Sequence, residues 1–367
     1  MSEVKVIPVH EICSTISDTY KGKAEDVVLI NTSDVLEGTV LNHEKVPNKE
    51  LKGQFKKTFQ KDDILYSEIR PQNKRYAYVD FVPTDYIAST KLMVIRVNSD
   101  IVVPRYLYYF LTSETTIAEL QMLAETRSGT FPQITFTELS SMTIPLPPKG
   151  EQRKIVSLLQ SIEGKIKTNE QINDNLQQQA QAIYADRFII NADPTWPAGH
   201  LSDLVVVRYG KDHKKLADGG IPVYGSGGLM RRAERPLFDK ESVLIPRKGT
   251  LNNVLYINEP FWSVDTMFYT EMRMANVAKF VYHFVSGKDL ASMNAGSAVP
   301  SMTTDILNAM ELQIPDEAAL ADFEELVSPM YRAMQENRVQ SEKLAALRDA
   351  LLPRLMSGEI DVSDVQI

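Results

Sequence analysis

The sequence predicts an α+β chain: two tandem mixed α/β domains separated by long helices that form an antiparallel coiled coil, arranged as a pseudo-twofold internal repeat. The first observation is the repeat. At an offset of 168 residues Pro132 falls on Pro300, Leu139 on Leu307, Met142 on Met310, Leu146-Pro147 on Ile314-Pro315, Asn169 on Asn337 and Leu176 on Leu344, with no gap. A gapless match through a loop, a strand end and a helix indicates duplication of one folded unit. The second is that each copy ends in a long heptad-patterned stretch. The third is a basic segment at a similar place in each copy of an otherwise acidic chain.

The elements follow in order. Residues 1–148 mix β-type runs such as Val27-Val28-Leu29-Ile30 and Leu92 to Val97 with a helical stretch around Pro104 to Thr112. Val103 to Leu111 resembles Val277 to Val285, and Ile64-Leu65 resembles Val243-Leu244. The offset therefore drifts upstream, as insertions in surface loops produce. Ile144-Pro145-Leu146-Pro147-Pro148 closes the domain, because clustered prolines enter neither a central strand nor a helix interior.

The first spacer helix is expected over 149–192, with Ile155, Leu158, Leu159, Ile162, Ile166, Ile172, Leu176, Ala180 and Ile183 on its seam. A second domain is expected over 193–314. A second spacer helix and tail follow over 315–360, with Phe323, Leu326, Val327, Met330, Met334, Leu344, Leu347, Leu351 and Leu355 on the matching seam. Asn169 with Asn337, and Asn173 with Ser341, interrupt both seams at equivalent places, a pattern that fixes register. Pro329 suggests a kink or a later helix start, and Pro353 a bend or stop before Ser357-Gly358. About 35 residues of helix would span on the order of 50 Å.

The chain has 367 residues, 43% of them hydrophobic, enough for two ordinary cores. Its one cysteine, Cys13, reads as a packing residue in a reducing compartment. With no apolar leader at Met1 to Ile12 and no membrane-length run, the expected location is the cytoplasm, without membrane contact. Between Lys45 and Arg75 nine basic residues face four acidic ones, and between Arg208 and Lys248 ten face five. Two segments at +5 on a chain of net -8 leave -18 elsewhere. Recurrence of basic segments on an acidic body points to two phosphate-contacting surfaces. Antiparallel helices would make the chain pseudo-twofold, which suits the twofold-related backbone of duplex DNA.

Catalytic motifs are missing from the sequence. Gly225-Ser226-Gly227-Gly228 lacks the lysine and spacing of a phosphate loop and reads as a turn near DNA. Asp193-Pro194-Thr195-Trp196 only loosely matches the flipped-base string of an adenine methyltransferase and reads as a linker. His10, His43, His200, His213 and His283 are scattered without metal-ligand spacing. Asp62, Asp63, Glu68 and Arg70 are too weak a set to argue for a nuclease.

The chain resembles the specificity (S) subunits of type I restriction-modification systems. The resemblance rests on Gly129 to Thr135, on Ile144 to Pro148 followed by Glu151-Gln152-Arg153-Lys154-Ile155, on Asn169 to Tyr184, and on the closing Leu351 to Ile360. Asn31-Thr32-Ser33-Asp34-Val35 with Gly38, and Ile221 to Gly228, resemble motifs of the family's two target-recognition domains. The second copy has Ala319-Leu320-Ala321 in place of the Glu-Gln-Arg string, leaving its helix start less defined. The resemblance implies a non-catalytic chain in which each domain reads half of a split double-stranded DNA target. The helices would dock two methyltransferase (M) subunits that use S-adenosylmethionine to methylate adenine, and a restriction (R) subunit could join. No cofactor is expected in this chain itself.

Residue chemistry nominates the DNA contacts. Arg, Lys, Asn and Gln read base edges, while Ser, Thr, Tyr and Lys position phosphates. In the first domain the candidates are Lys56, Lys57, Arg70, Lys74, Arg75, Arg127, Ser128 and Gln133; in the second, Lys211, Lys214, Lys215, Tyr224, Ser226, Arg231, Arg232, Arg247, Lys248 and Asn252. Ser128-Gly129-Thr130 and Gly296-Ser297-Ala298 read equally as plain turns. A different class, a coiled-coil scaffold that organises protein partners without DNA, explains the helices but leaves the two basic segments as coincidence.

Overall fold

The computed structural model describes residues 4–49, 53–127, 131–293, 301–362 and 365. The chain divides into two compact units, Met1–Thr168 with Val339–Ile367, and Asn169–Arg338. Each unit thus takes part of both long helices.

The first unit contains β1 (Lys5–Pro8), β2 (Cys13–Ile16), β3 (Asp26–Ile30), β4 (Val35–Leu36), β5 (Thr39–Val40) and β6 (Lys45–Pro47). It continues with β7 (Phe55–Lys57), β8 (Ile64–Ser67), β9 (Tyr76–Tyr78), β10 (Tyr86–Ser89) and β11 (Leu92–Val97). Then come α1 (Pro104–Thr112), α2 (Glu114–Arg127), α3 (Phe136–Ser141), β12 (Thr143–Leu146) and α4 (Lys149–Ala185), the last running on into the second unit and a π turn at Asp186–Ile190. The second unit holds β13 (Ala198–His200), α5 (Leu201–Leu204), β14 (Val205–Tyr209), β15 (Asp218–Gly225), β16 (Gly228–Ala233), β17 (Ser242–Pro246), β18 (Leu255–Ile257), β19 (Trp262–Ser263) and β20 (Met267–Met272). It closes with α6 (Ala278–Ser286), α7 (Thr304–Asn308), β21 (Glu311–Gln313) and the front of α8 (Glu317–Met356).

The duplication is visible in the sheet orders. Order β2-β11-β8-β9 in the first unit corresponds to β14-β20-β17-β18 in the second, β1-β12 to β13-β21, and β6-β3-β10 to β16-β15-β19. The first unit adds β7 beside β10. In both, one parallel pair sits among antiparallel ones: β3 with β10, and β15 with β19. The central strands lie between two cores, so they read as continuous apolar runs. Along β8, Ile64 and Tyr66 enter one core and Leu65 the other; along β17, Val243 and Ile245 alternate with Leu244 in the same way.

The helix starts differ as their sequences do. Gln152, 1% exposed, accepts from the Val103 amide at 2.8 Å and donates to the Pro147 carbonyl at 2.9 Å, joining the start of α4 to that of α1. That contact is the physical content of the Glu-Gln-Arg string. Its counterpart Leu320 is fully buried in an apolar core, and Asp316 caps α8 by accepting from Ala319 N at 2.8 Å. The later helix start suggested at Pro329 needs correction, because α8 runs from Glu317 through Pro329; it stops at Met356, three residues past Pro353 and just before Ser357-Gly358. Phe323, Val327 and Tyr331 are buried on either side of Pro329, and this packing outweighs the one amide that proline lacks. Gly358, at φ +76°, stands just past the helix end.

Within the second unit the polar seam positions meet. Asn173 Nδ2 donates to the Met334 carbonyl at 3.1 Å, Asn337 Nδ2 to Asn173 Oδ1 at 2.9 Å, and Asn169 Nδ2 to the Asn337 carbonyl at 3.4 Å. Numbers rise on α4 as they fall on α8, so the pairing is antiparallel. A one-turn slip would break these bonds between the buried Asn169 and the half-buried Asn173 and Asn337, which is how they hold register.

Candidate nucleic-acid interface

In the first unit the chain leaving β8 forms a cationic loop, Glu68 to Arg75, on a backbone clasp. Ile69 bridges Gln133; the Ile134 amide donates to Glu68 O at 2.9 Å, and the Arg70 amide to Pro132 O at 3.1 Å. Two motifs some sixty residues apart in sequence are thereby brought together. A 3-10 turn, Pro71–Asn73, completes the loop between Arg70 at φ +44° and Lys74 at φ +52°. The far side is fastened to the early motif. Arg75 Nη1 donates to Ser33 O at 3.0 Å, the Glu37 amide to Lys74 O at 2.9 Å, and the Gly38 amide to Tyr76 O at 3.0 Å. Gly38 has φ +100°, and a Cβ there would collide with the Tyr108 hydroxyl, so glycine suits the position. Asn31 to Asp34 is a self-capped 3-10 turn, with Asp34 Oδ2 accepting from Asn31 N at 2.7 Å.

The second unit repeats the clasp on the chain leaving β17. Lys248 bridges Ser301, and the Met302 amide donates to Arg247 O at 2.9 Å. Ser301 and Met302 are the repeat equivalents of Gln133 and Ile134, while Arg247 and Lys248 are those of Glu68 and Ile69. The far side is fastened likewise, through Asn253 Nδ2 donating to Ser226 O at 2.8 Å. Ser226 and Gly227 form the tight turn of the β15–β16 hairpin, where Gly225 pairs with Gly228 at φ +108°.

The remaining candidates divide by what engages them. Lys56 is exposed on β7. Lys57 is half-buried and donates to Thr90 O at 3.0 Å and Leu92 O at 2.8 Å; burial lowers its ammonium pKa, against the opposing pull of Glu68. Lys74 lies 3.8 Å from Glu37. The Arg127 side chain and Ser128, with Gly129-Thr130 and Gly296-Ser297-Ala298, lie outside the described residues. Lys211, Lys214 and Lys215 are exposed, the first on a backbone fixed by Trp262 Nε1 donating to its carbonyl at 2.8 Å. Arg231 holds the turn that presents them: it donates to His213 O at 2.6 Å, Leu216 O at 2.9 Å and Asp218 Oδ1 at 2.9 Å.

Arg232 donates to Gly220 O at 3.0 Å, and Asn252 pairs with Asp289 at 3.1 Å and accepts from Ala291 N at 3.0 Å. Arg247 donates to Asp265 O at 3.2 Å and stands 5.3 Å from the ring centre of Tyr209, itself 52% exposed. Tyr224 is buried, its phenol pushed up to about 12 chiefly by burial, and donates to Glu259 at 3.4 Å. Lys248 is exposed.

Two neighbours were not legible as candidates. Lys91 lies 3.5 Å from both Glu68 and Gln133 Oε1, beside the first clasp, and Tyr209 underlies Arg247. A lone lysine in a Thr90-Lys91 turn and one strand-end tyrosine carry no motif. The imagined carboxylate cluster separates: Asp63 is 1% exposed and bidentate to Arg96 at 2.7 and 2.9 Å, whereas Asp62 accepts from Tyr78 at 2.7 Å. Among the described residues no group of His, Cys, Asp and Glu could hold a metal, and no helix is long and apolar enough to cross a membrane. Cys13 is buried and donates to Val9 O, with its thiol pushed up to about 12 by burial.

Two like units, each presenting a cation-bearing loop on the same backbone clasp, define a duplicated nucleic-acid reader. The chain belongs to the family of the type I restriction modification DNA specificity domain, whose model matches residues 1–178 and 195–319. It is 27% identical to the type I restriction enzyme HindI specificity subunit of Haemophilus influenzae, across 98% of this chain and 100% of that one. It is 22% identical to the MjaIX specificity subunit of Methanocaldococcus jannaschii, across 73% and 72%. The fold is also similar to the crystal structure of a type I restriction-modification S subunit from M. genitalium, at 15% identity, with 97% and 96% covered and a TM-score of 0.54.

Proposed function

We propose that this chain reads a split double-stranded DNA target for a type I restriction-modification complex, one half-site for each target-recognition domain. The regions 1–148 and 193–314 are the two readers, and the helical segments 149–192 and 315–360 are spacer and docking surface for two M subunits. Those subunits supply S-adenosylmethionine-dependent adenine methylation, and an R subunit joins to cleave unmodified DNA. This chain contributes recognition and no catalytic group or cofactor, and it works in the cytoplasm.

The observation that carries this reading is the duplicated clasp, whose loop carries cationic residues in both units, at different positions in each. Exposed Lys56, Arg70, Lys211, Lys214, Lys215 and Lys248 are available to DNA directly. Lys74, Arg75, Arg231, Arg232 and Asn252 hold the loops, and Gln133, Ser226 and Arg247 line the same surfaces. Lys57 is turned inward to the Thr90–Leu92 turn, and Tyr224 is buried against Glu259 instead of facing DNA. Arg127 and Ser128 remain candidates from the sequence alone. A scaffold without DNA would leave the recurrence of these loops unexplained. Binding of duplex DNA by the assembled complex, titrated against salt, separates the two: affinity falling linearly with salt on logarithmic axes supports the reader, and no binding at low salt supports the scaffold.

A further inference from the structure

We propose that Arg70 reads a guanine in the half-site of the first unit, and that the second unit has no counterpart to this contact. The inference rests on the DNA-reading function proposed above. In the two clasps, the residue after the bridging one occupies the left-handed region: Arg70 at φ +44° and Gly249 at φ +85°. Glycine adopts this conformation freely, whereas a residue with a Cβ is strained there. Pro71 adds to the strain, because a following proline favours extended backbone. The first unit therefore keeps an arginine where its own copy shows that glycine serves the fold.

What the arginine brings is a free guanidinium on a fixed base. Its amide donates to Pro132 O at 3.1 Å and its carbonyl accepts from Asn73 N at 2.8 Å, so the backbone is held on both sides. The side chain is exposed, and no hydrogen bond or ion pair within the described residues engages it. The other candidate arginines with described side chains donate to protein carbonyls: Arg75 to Ser33, Arg231 to His213 and Leu216, Arg232 to Gly220, and Arg247 to Asp265. Arg70 alone among them has its planar fork unengaged, the geometry that matches guanine O6 and N7 in the major groove. Gln133 and Lys91 stand beside it at the clasp. In the second unit a Cβ on Gly249 would come within 2.7 Å of Ser226 Oγ, so a side chain there requires Ser226 to shift.

The test uses the chain assembled with its M partner on a DNA library randomised across the split site, with bound molecules sequenced. Wild type should enrich guanine at one position of one half-site. Arg70→Gly relieves the strained conformation and keeps the clasp, so it should fold; it should flatten that position by roughly 10- to 100-fold and leave the other half-site unchanged. Arg70→Gln should move the preference from guanine toward adenine. Uniform weakening by both variants with base preference intact would overturn the proposal and make Arg70 a phosphate contact, and flattening in both halves would overturn it too. If wild type enriches no sequence, the DNA-reading function itself fails, and the proposal with it.

Discussion

The two copies keep the same positions where domain meets helix and fill them with different chemistry. In the second unit Lys279 of α6 is 4% exposed, lies 3.3 Å from Glu241 and 2.6 Å from Glu324, and stands over Tyr256, which donates to Glu241. Its counterpart Arg105 on α1 is half-buried and stands 4.1 Å over Tyr78, which donates to Asp62. One helix turn on, His283 bonds Gln181 at 2.7 Å and Tyr331 at 2.8 Å and stacks on Tyr184. The equivalents in the first unit are Tyr109, Asp349, Glu163 and Leu352. There Tyr109 donates to Glu163 at 2.7 Å, and all four line a cavity of about 300 Å³. Duplication preserved cation, tyrosine and carboxylate as a pattern, while one junction became buried and aromatic and the other polar and open.

The largest expected consequence lies in Lys279. Replacing it with Met strands two carboxylates, and because both keep some solvent access the loss should be about 3 kcal/mol. Arg105→Met should cost about 1 kcal/mol. Denaturant titration with hydrogen exchange read separately in each unit measures both, and equal losses would break the comparison.

His283 gives the second unit a pH dependence that the first lacks at this place. Burial lowers its pKa from 6.5 to about 4, so the folded unit holds it neutral while the unfolded chain binds a proton. Stability is therefore full above pH 6.5 and declines as pH falls toward about 4, by on the order of 3 kcal/mol. His283→Phe should flatten the profile in that window, and an unchanged slope would remove the histidine as its cause.

At the reading surface, Arg247→Ala should weaken one half-site by about 1–3 kcal/mol and leave the other intact, measured by binding to DNA altered in each half separately. Equal loss at both halves contradicts division of labour between the copies. Smallest, Asn173→Ala removes the acceptor of Asn337 and should lower helix-pair stability by about 1 kcal/mol.

The repeat made most of this fold legible. Heptad seams, the closing proline run and β-type stretches such as Leu92 to Val97 each coincide with an element, because burial sets the period of apolar residues, although Ile172, Leu326 and Leu347 of the expected seams are exposed. Pro329 misled, since its local cost is outweighed by packing that a periodicity count cannot weigh, whereas the helix does stop soon after Pro353, before Ser357-Gly358. The surface was half legible. Charge marked both loops, yet charge does not reveal that Lys57 donates inward or that Arg231 is committed to the turn before it. Nor could sequence spacing show that Ile69 meets Gln133, a contact made by the fold and repeated where Lys248 meets Ser301.

The central claim is that two copies of one reader each take half of one target. Mapping methylated adenines across a host genome carrying the matching M subunit, with and without this chain, tests it most directly. The account predicts a split motif present only when the chain is present; a methylation pattern that its removal leaves unchanged would contradict it.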